Sequence, residues 1–233
     1  MAKTLRKNAY NVLIVKPHNI EHQCDERVNQ WIMKQFSKGL AEYWAIPSKT
    51  PEVARNHAIN MFLTDPKWKN KTHLFFLDAD TLPCSDFAIE KLLYHNKAVT
   101  AGVTPIIRGN LATGRGDITC YWSALKWDEQ GEYDTIGING LPRKLFKSPR
   151  VGGTTILLRR DVLEKLKKPY QKNTFSEDMT QQILSEDFYF SDKIREAGFD
   201  IWVDPDVKCH HFHNFDLLDV FDMVETARKG NLK

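Results

Sequence analysis

The stretch His73-Leu-Phe-Phe-Leu-Asp78-Ala-Asp80-Thr-Leu-Pro83 limits the possible folds more than any other part of the chain. Leu74 to Leu77 form an unbroken apolar run, with the length and composition of a strand buried on both faces. Two carboxylates close it. If the backbone stays extended through Ala79, Asp78 and Asp80 project to one side, because strand side chains repeat every second residue. Open α/β sheets put their ligands at the carboxyl edge of such strands. Like charges held that close repel unless a cation lies between them, and a divalent metal carrying a nucleotide diphosphate is one such cation. The same acids also read as a solubilised strand end that opens a turn at Thr81-Leu-Pro83.

The rest of the first half supplies the layers such a strand needs. Asn11 to Lys16 reads as a first buried strand. A helix from Glu26 is predicted by Val28, Trp31, Ile32 and Phe36 at helical spacing, with Gly39 as its stop. Tyr43 to Ile46 suits a short strand. Thr50-Pro51-Glu52 then gives a cap, a first-turn proline and an acid, opening a helix whose inner face is Val53, Ala54, Ala58 and Met61. Ser85 caps another helix through Ile89, Leu92 and Leu93, and Ala98 to Val103 is a strand. This β-α-β-α-β-α-β order predicts largely parallel strands with helices packed over the sheet.

Pro105 to Arg150 breaks the rhythm. It holds Gly109, Gly114, Gly116, Gly131, Gly137 and Gly140 around the aromatic, β-rich piece Thr119 to Trp127, which predicts a hairpin and loops able to carry a binding surface at Tyr121 and Trp127. Val151-Gly-Gly-Thr-Thr-Ile-Leu-Leu158 restores a strand, and Gly152-Gly153 allows either close backbone approach to a ligand or a bulge. A short helix over Asp161 to Lys167 follows, then a polar loop from Pro169 to Gln182. Ser185 caps a helix ended by Gly198, with Phe190, Ile194 and Ala197 as its buried stripe. Asp187 begins on that face, where the helix dipole favours its ionised form, so it suits a base as well as a first-turn capping acid. Asp200 to Val203 is a strand running into a loop with His210, His211 and His213. A final amphipathic helix is expected at about 216–229.

A chain of 233 residues with 42% hydrophobic content makes one domain with a full core. The net charge of +3 permits a polyanionic partner without requiring one. Cys24, Cys84, Cys120 and Cys209 are scattered and form no metal or disulfide pattern. Reduced thiols, the absence of a signal-peptide core and the lack of any membrane-length apolar run predict a soluble, cytoplasmic protein.

In order along the chain stand Pro51-Glu-Val-Ala-Arg55-Asn56, Phe75-Phe-Leu-Asp78-Ala-Asp80, Val151-Gly-Gly-Thr-Thr-Ile-Leu-Leu158, Ser185-Glu-Asp187-Phe-Tyr-Phe190 and Val203-Asp-Pro-Asp-Val-Lys-Cys-His-His211. This set resembles the GT-A-fold glycosyltransferases, nearest the short, soluble, family-2-like enzymes of bacteria and their phages. The likeness runs from the first strand to about Phe212 and leaves out the insert at about 105–150 and the tail. It implies an α/β, GT-A (Rossmann-like) fold and transfer of a sugar from a nucleoside diphosphate donor, UDP-linked, to an acceptor glycan or protein; a modified base in DNA is the acceptor that would join this activity to the basic residues considered below. By the resemblance, Asp78, Asp80 and His211 hold Mn²⁺ or Mg²⁺ on the diphosphate. An imidazole beside carboxylates favours Mn²⁺. His210 stands where the family often has glycine, which leaves the choice among His210, His211 and His213 open. The resemblance further places Asp187 as base toward the acceptor and Arg55 at the nucleotide, with Gly153 beside the donor.

Two other readings stay open at this level. Lys67, Lys69 and Lys71 near Trp68, with Arg143, Lys144, Lys147 and Arg150, suit a nucleic-acid-binding protein with a decayed transferase site. A nucleotidyltransferase shares two-acid metal chemistry, but Pro17-His18-Asn19-Ile20 is not the glycine-rich phosphate loop expected after its first strand.

Overall fold

A computed structural model describes residues 11–18, 25–48, 50–108 and 119–212. The chain opens with β1 (Val12–His18), α1 (Glu26–Ser37), β2 (Ala41–Pro47) and α2 (Pro51–Thr64). Next come β3 (His73–Leu77), β4 (Thr81–Pro83), α3 (Ala88–Tyr94) and β5 (Val99–Val103). The insert supplies β6 (Pro105–Arg108), β7 (Thr119–Trp127), β8 (Tyr133–Gly137) and β9 (Phe146–Ser148). β10 (Thr155–Arg159), α4 (Arg160–Lys165), β11 (Thr174–Phe175), β12 (Gln182–Leu184), α5 (Glu186–Glu196) and β13 (Ile201–His211) complete the described part. His213 and the expected helix at 216–229 lie outside the described residues.

Local chemistry sets the helix ends. The Asp25 side chain accepts the Arg27 amide to cap α1, and Gly39, at φ +67°, ends it in the left-handed region that glycine adopts without strain. Ser185 caps α5 by accepting the Phe188 amide, and Gly198 at φ +86° follows its end.

The main sheet runs β2-β1-β3-β10-β5-β13-β4, with β9 also on β13. β1 is parallel to β2 and β3, and β5 to β13, as the alternating pattern predicts. β10 departs from it, lying antiparallel between β3 and β5. Parallel neighbours need a crossover connection, usually helical, whereas the chain leaves β5 through strands and re-enters the sheet at that same end, so β10 runs back antiparallel. β6, β7 and β8 form a separate antiparallel sheet. β9 leaves the insert to join the main sheet, and the polar segment read as a loop holds β11, which pairs antiparallel with β12 at and beyond its end.

Alternation along the central strands divides the core between two helical layers. Leu13, Val15, Leu74 and Phe76 pack with Ala58, Ile59 and Phe62 of α2 and with Phe190 and Ile194 of α5. Val12, Ile14, Phe75 and Leu77 face Trp31 and Ile32 of α1 and Ile89 and Leu92 of α3. Full burial of such side chains stabilises by about 1.5–3 kcal/mol each. On α2 the inner face is rotated from the expected one. Val53 is exposed and Arg55 is buried, because Arg55 shares the helical stripe of Ile59 and Phe62.

Among the described residues Cys84, Cys120 and Cys209 are free, and no helix is long and apolar enough to cross a membrane.

Candidate active site

β3 stops at Leu77, so the two acids do not continue an extended strand. The Thr81 amide donates to the Asp78 carbonyl at 3.2 Å, making Asp78 to Thr81 a turn. Three other segments fasten it. The Asp78 amide donates to the Thr154 carbonyl, the Asp25 amide to the Ala79 carbonyl, and the Phe212 amide to the Asp80 carbonyl at 2.8 Å. The start of α1, the approach to β10 and the end of β13 therefore meet at the acidic turn, and its two carboxylates face different partners.

Asp78 faces Arg55. Arg55 Nη2 donates to both Asp78 oxygens at 2.7 and 3.0 Å, while Nη1 donates to Asp187 Oδ1 at 2.5 Å and stands 3.8 Å from Glu186 Oε1. Arg55 is 1% exposed. Burial alone would favour loss of its proton, but Asp78 and Asp187 more than reverse that and hold it charged. For Asp78, burial dominates and pushes the carboxyl up despite the guanidinium. Gly153 closes this group from the backbone side. A Cβ there would lie 2.3 Å from Asp187 Oδ1 and 2.6 Å from Arg55 Nη1. The close approach that Gly152-Gly153 permits is thus made, at Gly153, to an internal ion pair.

Asp80 faces His211. Their Oδ2 and Nε2 atoms are 3.6 Å apart, too far for a good hydrogen bond. In β13, His211 pairs with Thr81 and His210 with Leu82, so alternation turns His210 to the exposed face, where its ring stacks on Phe212. What read as a histidine-rich loop is the end of a long strand. The His211 Nδ1 lies 3.1 Å from the Pro105 carbonyl. A proton on Nδ1 donated there leaves the Nε2 lone pair turned toward Asp80. Burial opposes charge on His211, but Asp80 outweighs it and raises the ring's pKa. Burial alone would raise Asp80, yet the His211 ring and the Thr81 hydroxyl bring it below the usual carboxylate value.

With the ring neutral and its proton on Nδ1, the facing Asp80 and His211 lone pairs fit a divalent ion. Bonds of about 2.0–2.2 Å place neighbouring donors roughly 3–3.6 Å apart. Among the described residues no cluster of three or more His, Cys, Asp or Glu side chains is arranged for a metal. Asp80 and His211 are the side chains at this turn that would hold such an ion, while Asp78 is engaged by Arg55.

Glu186 and Asp187 occupy the first turn of α5, at the positive end of its dipole. Asn173 places that end by accepting the Glu186 amide at 3.0 Å and donating to Glu52. Burial, then the neighbouring Asp187, pushes the Glu186 carboxyl up. Sequence reasoning missed this support. It named Asn56 without giving it a role: its oxygen accepts the amides of Tyr170 and Gln171 and its nitrogen donates to the Gln171 carbonyl at 2.7 Å. The only signal was an Asn directly after an Arg on the apolar stripe.

Several basic residues of the nucleic-acid reading are already engaged. Lys71 is buried on Asn11 and Glu42, Lys147 holds Asp200 at 2.7 Å, and Arg150 holds Asp192 through two hydrogen bonds. Of the insert aromatics, Trp127 lies by Arg195 on α5, away from the acidic turn.

This arrangement is a GT-A-like fold, a mixed α/β sheet with its polar residues gathered at the carboxyl end of β3. No family model and no curated protein matches the sequence. Among solved structures, A197 from STIV aligns over 88% of this chain and 86% of its own, at 20% identity and a TM-score of 0.55. GalNAc-T7, crystallised with UDP, GalNAc and Mn²⁺, aligns at 13% identity and a TM-score of 0.49, and the chain spans only 44% of its length. The catalytic domain of Drosophila beta1,4-galactosyltransferase 7 aligns over 88% of this chain and 71% of its own, at 16% identity and a TM-score of 0.47.

Proposed function

We propose that the protein is a metal-dependent glycosyltransferase that moves a sugar from a nucleoside diphosphate donor, UDP-linked, to an acceptor hydroxyl in the cytoplasm. The observation that carries this reading is the meeting of two differently equipped groups at one turn. Asp80 and His211 face each other across 3.6 Å and would seat a cation, and Arg55 joins Asp78 to the Glu186-Asp187 pair.

Asp80 and His211 would hold Mn²⁺, which supplies neutralisation of the charge developing on a departing diphosphate. The protein's own groups do the rest. The Pro105 carbonyl orients His211, and Arg55 keeps Asp78 and Asp187 in fixed places. The acidic pair at the mouth of α5 receives the acceptor's proton. That contribution is worth about 10²- to 10⁴-fold in rate, because a sugar hydroxyl is a poor nucleophile at neutral pH. The acceptor is a glycan, a protein or a modified base in DNA, and the β6-β7-β8 sheet beside His211 offers its binding surface.

Thermal unfolding with UDP and Mn²⁺, singly and together, tests the reading. A cooperative rise in Tm with both is expected, and no rise under any of these conditions would refute it. Release of UDP rather than pyrophosphate separates it from nucleotidyl transfer. Salt-dependent DNA binding that survives Asp80→Ala, with no UDP effect, would favour the nucleic-acid reading instead.

A further inference from the structure

We infer that Arg27 binds the donor's diphosphate, reaching it from the α1 layer on the other face of the sheet from Arg55. This rests on the transferase reading and names a cation that the reading so far lacks.

Arg27 lies in the first turn of α1, and two neighbours set its side chain. Its Nε and Nη2 donate to Asp25 Oδ1 and Oδ2 at 2.9 and 2.7 Å, and its guanidinium carbon stands 3.9 Å from the centre of the Phe212 ring. Both neighbours are fastened to the acidic turn by main chain. The Asp25 amide donates to the Ala79 carbonyl at 3.2 Å and the Phe212 amide to the Asp80 carbonyl at 2.8 Å. The guanidinium is therefore held beside Asp80, one edge on a carboxylate and one face on a ring. Nη1 takes no part in the Asp25 pair and has no hydrogen-bond partner among the described residues, and the side chain is 61% exposed.

The needs of α1 do not account for a cation there. The first turn is the positive end of the helix dipole, where positive side chains are disfavoured, and an exposed ion pair returns little stability. The chemistry of the turn does account for it. The diphosphate of a nucleotide sugar carries two negative charges and gains a third as it departs. Mn²⁺ brings two positive charges, of which the Asp80 carboxylate already offsets one. The excess of negative charge grows as the sugar leaves, and a fixed protein cation would stabilise it most at that point.

Arg55 cannot supply that cation. It is 1% exposed, with one arm on Asp78 and the other on Asp187. Further along α1, Lys34 and Lys38 are turned to Asp86 and Glu90. Arg27 has the open arm, and its planar fork matches phosphate oxygens better than an ammonium does. Stacking on Phe212 and pairing with Asp25 fix that fork before a ligand arrives, so little freedom is lost on binding.

Calorimetric titration with UDP in the presence of Mn²⁺, with uridine measured by displacement of UDP, reads this out. Arg27→Ala is expected to weaken UDP about 10-fold or more and to leave uridine within about twofold, as for a lost hydrogen bond to a charged group. Arg27→Lys loses less, because it keeps the charge without the fork. Asp25→Asn retains a good helix cap and the amide bond to Ala79 while releasing the fork from its pair, so UDP binds as well as to wild type or more tightly. Lys34→Ala removes a charge from the same helix and leaves UDP binding unchanged. The proposal is overturned if Arg27→Ala binds UDP as wild type does, or loses UDP and uridine equally. It is equally overturned if Asp25→Asn loses as much UDP affinity as Arg27→Ala, since the pair would then only brace α1, or if Lys34→Ala does, since net charge alone would then explain the loss. Wild-type protein that binds no UDP with Mn²⁺ is a separate result and removes the transferase reading itself.

Discussion

Asp80 and His211 face one another across 3.6 Å, and the Phe212 amide ties the same junction by donating to the Asp80 carbonyl. The turn and the end of β13 are thus tied together by main chain, and under the proposed function both ligands of the ion sit on that junction. Mutation of outer-shell groups around metal sites commonly costs about 10- to 100-fold in affinity. Asp80→Asn and His211→Ala are each expected to weaken Mn²⁺ at least that much, and Asp78→Asn to weaken it less. Isothermal titration with Mn²⁺ in the presence of UDP measures the three constants, and equal losses for Asp78→Asn and Asp80→Asn would show the cation seated between the two acids.

Gly153 is required by space rather than by backbone angle. Its Cβ would collide with Asp187 Oδ1 and Arg55 Nη1, and neither can retreat without breaking a bond to the other. Gly153→Ala is expected to destabilise by about 1–3 kcal/mol, the usual range for overpacking, and to reduce the Tm rise with UDP and Mn²⁺. Gly137→Ala is the control, since nothing lies within 4 Å of its added methyl. Urea midpoints for the two variants decide it, and equal effects would remove the steric argument.

Much of this arrangement is legible in the sequence, and the parts that are not have identifiable causes. The apolar runs of β1 and β3, and the caps of α1 and α5, are local features that state their own structure. β10 is not legible in the same way, because Thr155 to Leu158 reads alike in either strand direction and only the route of the insert decides between them. β13 hides its length behind Pro205, a residue that argues against a strand. Yet Ile201, Val203, Pro205, Val207 and Cys209 are all buried at period two. Arg55 was the most readable surprise. It sits in phase with Ile59 and Phe62, and a cation on an apolar stripe implies acids waiting inside.

Arg150 connects the insert to α5 as an ion pair set among rings. Its guanidinium holds Asp192 at 3.0 and 2.7 Å, lies 4.5 Å from the centre of the Tyr133 ring and 5.5 Å from that of Phe188. Arg195 continues the series, bonding the Tyr133 hydroxyl at 2.8 Å beside Trp127. Because the pair keeps about a fifth of its exposure, solvent screens part of its energy. Arg150→Met is expected to cost about 1–2 kcal/mol, toward the low end for charged hydrogen bonds. The double variant with Asp192→Asn should fall short of the summed single losses, since the residues touch. Strict additivity in urea unfolding would mean that the ion pair contributes nothing measurable.

His73 gives the fold a pH dependence of definite sign. It is 6% exposed at the start of β3, opposite Arg159 of β10. Burial, aided by the Arg159 charge, pushes its pKa down to about 4. In the unfolded chain it titrates near its ordinary value of about 6.5. Between these two values the unfolded chain binds a proton that the folded chain refuses, so stability falls as pH is lowered through the window. The loss attributable to His73 should reach about 3 kcal/mol at pH 4. His73→Gln keeps a polar side chain there and cannot titrate, so its unfolding free energy should decline less steeply from pH 6.5 to 4 than that of wild type. Parallel declines in urea unfolding over that range would show that His73 takes up its proton in the folded protein as readily as in the unfolded chain.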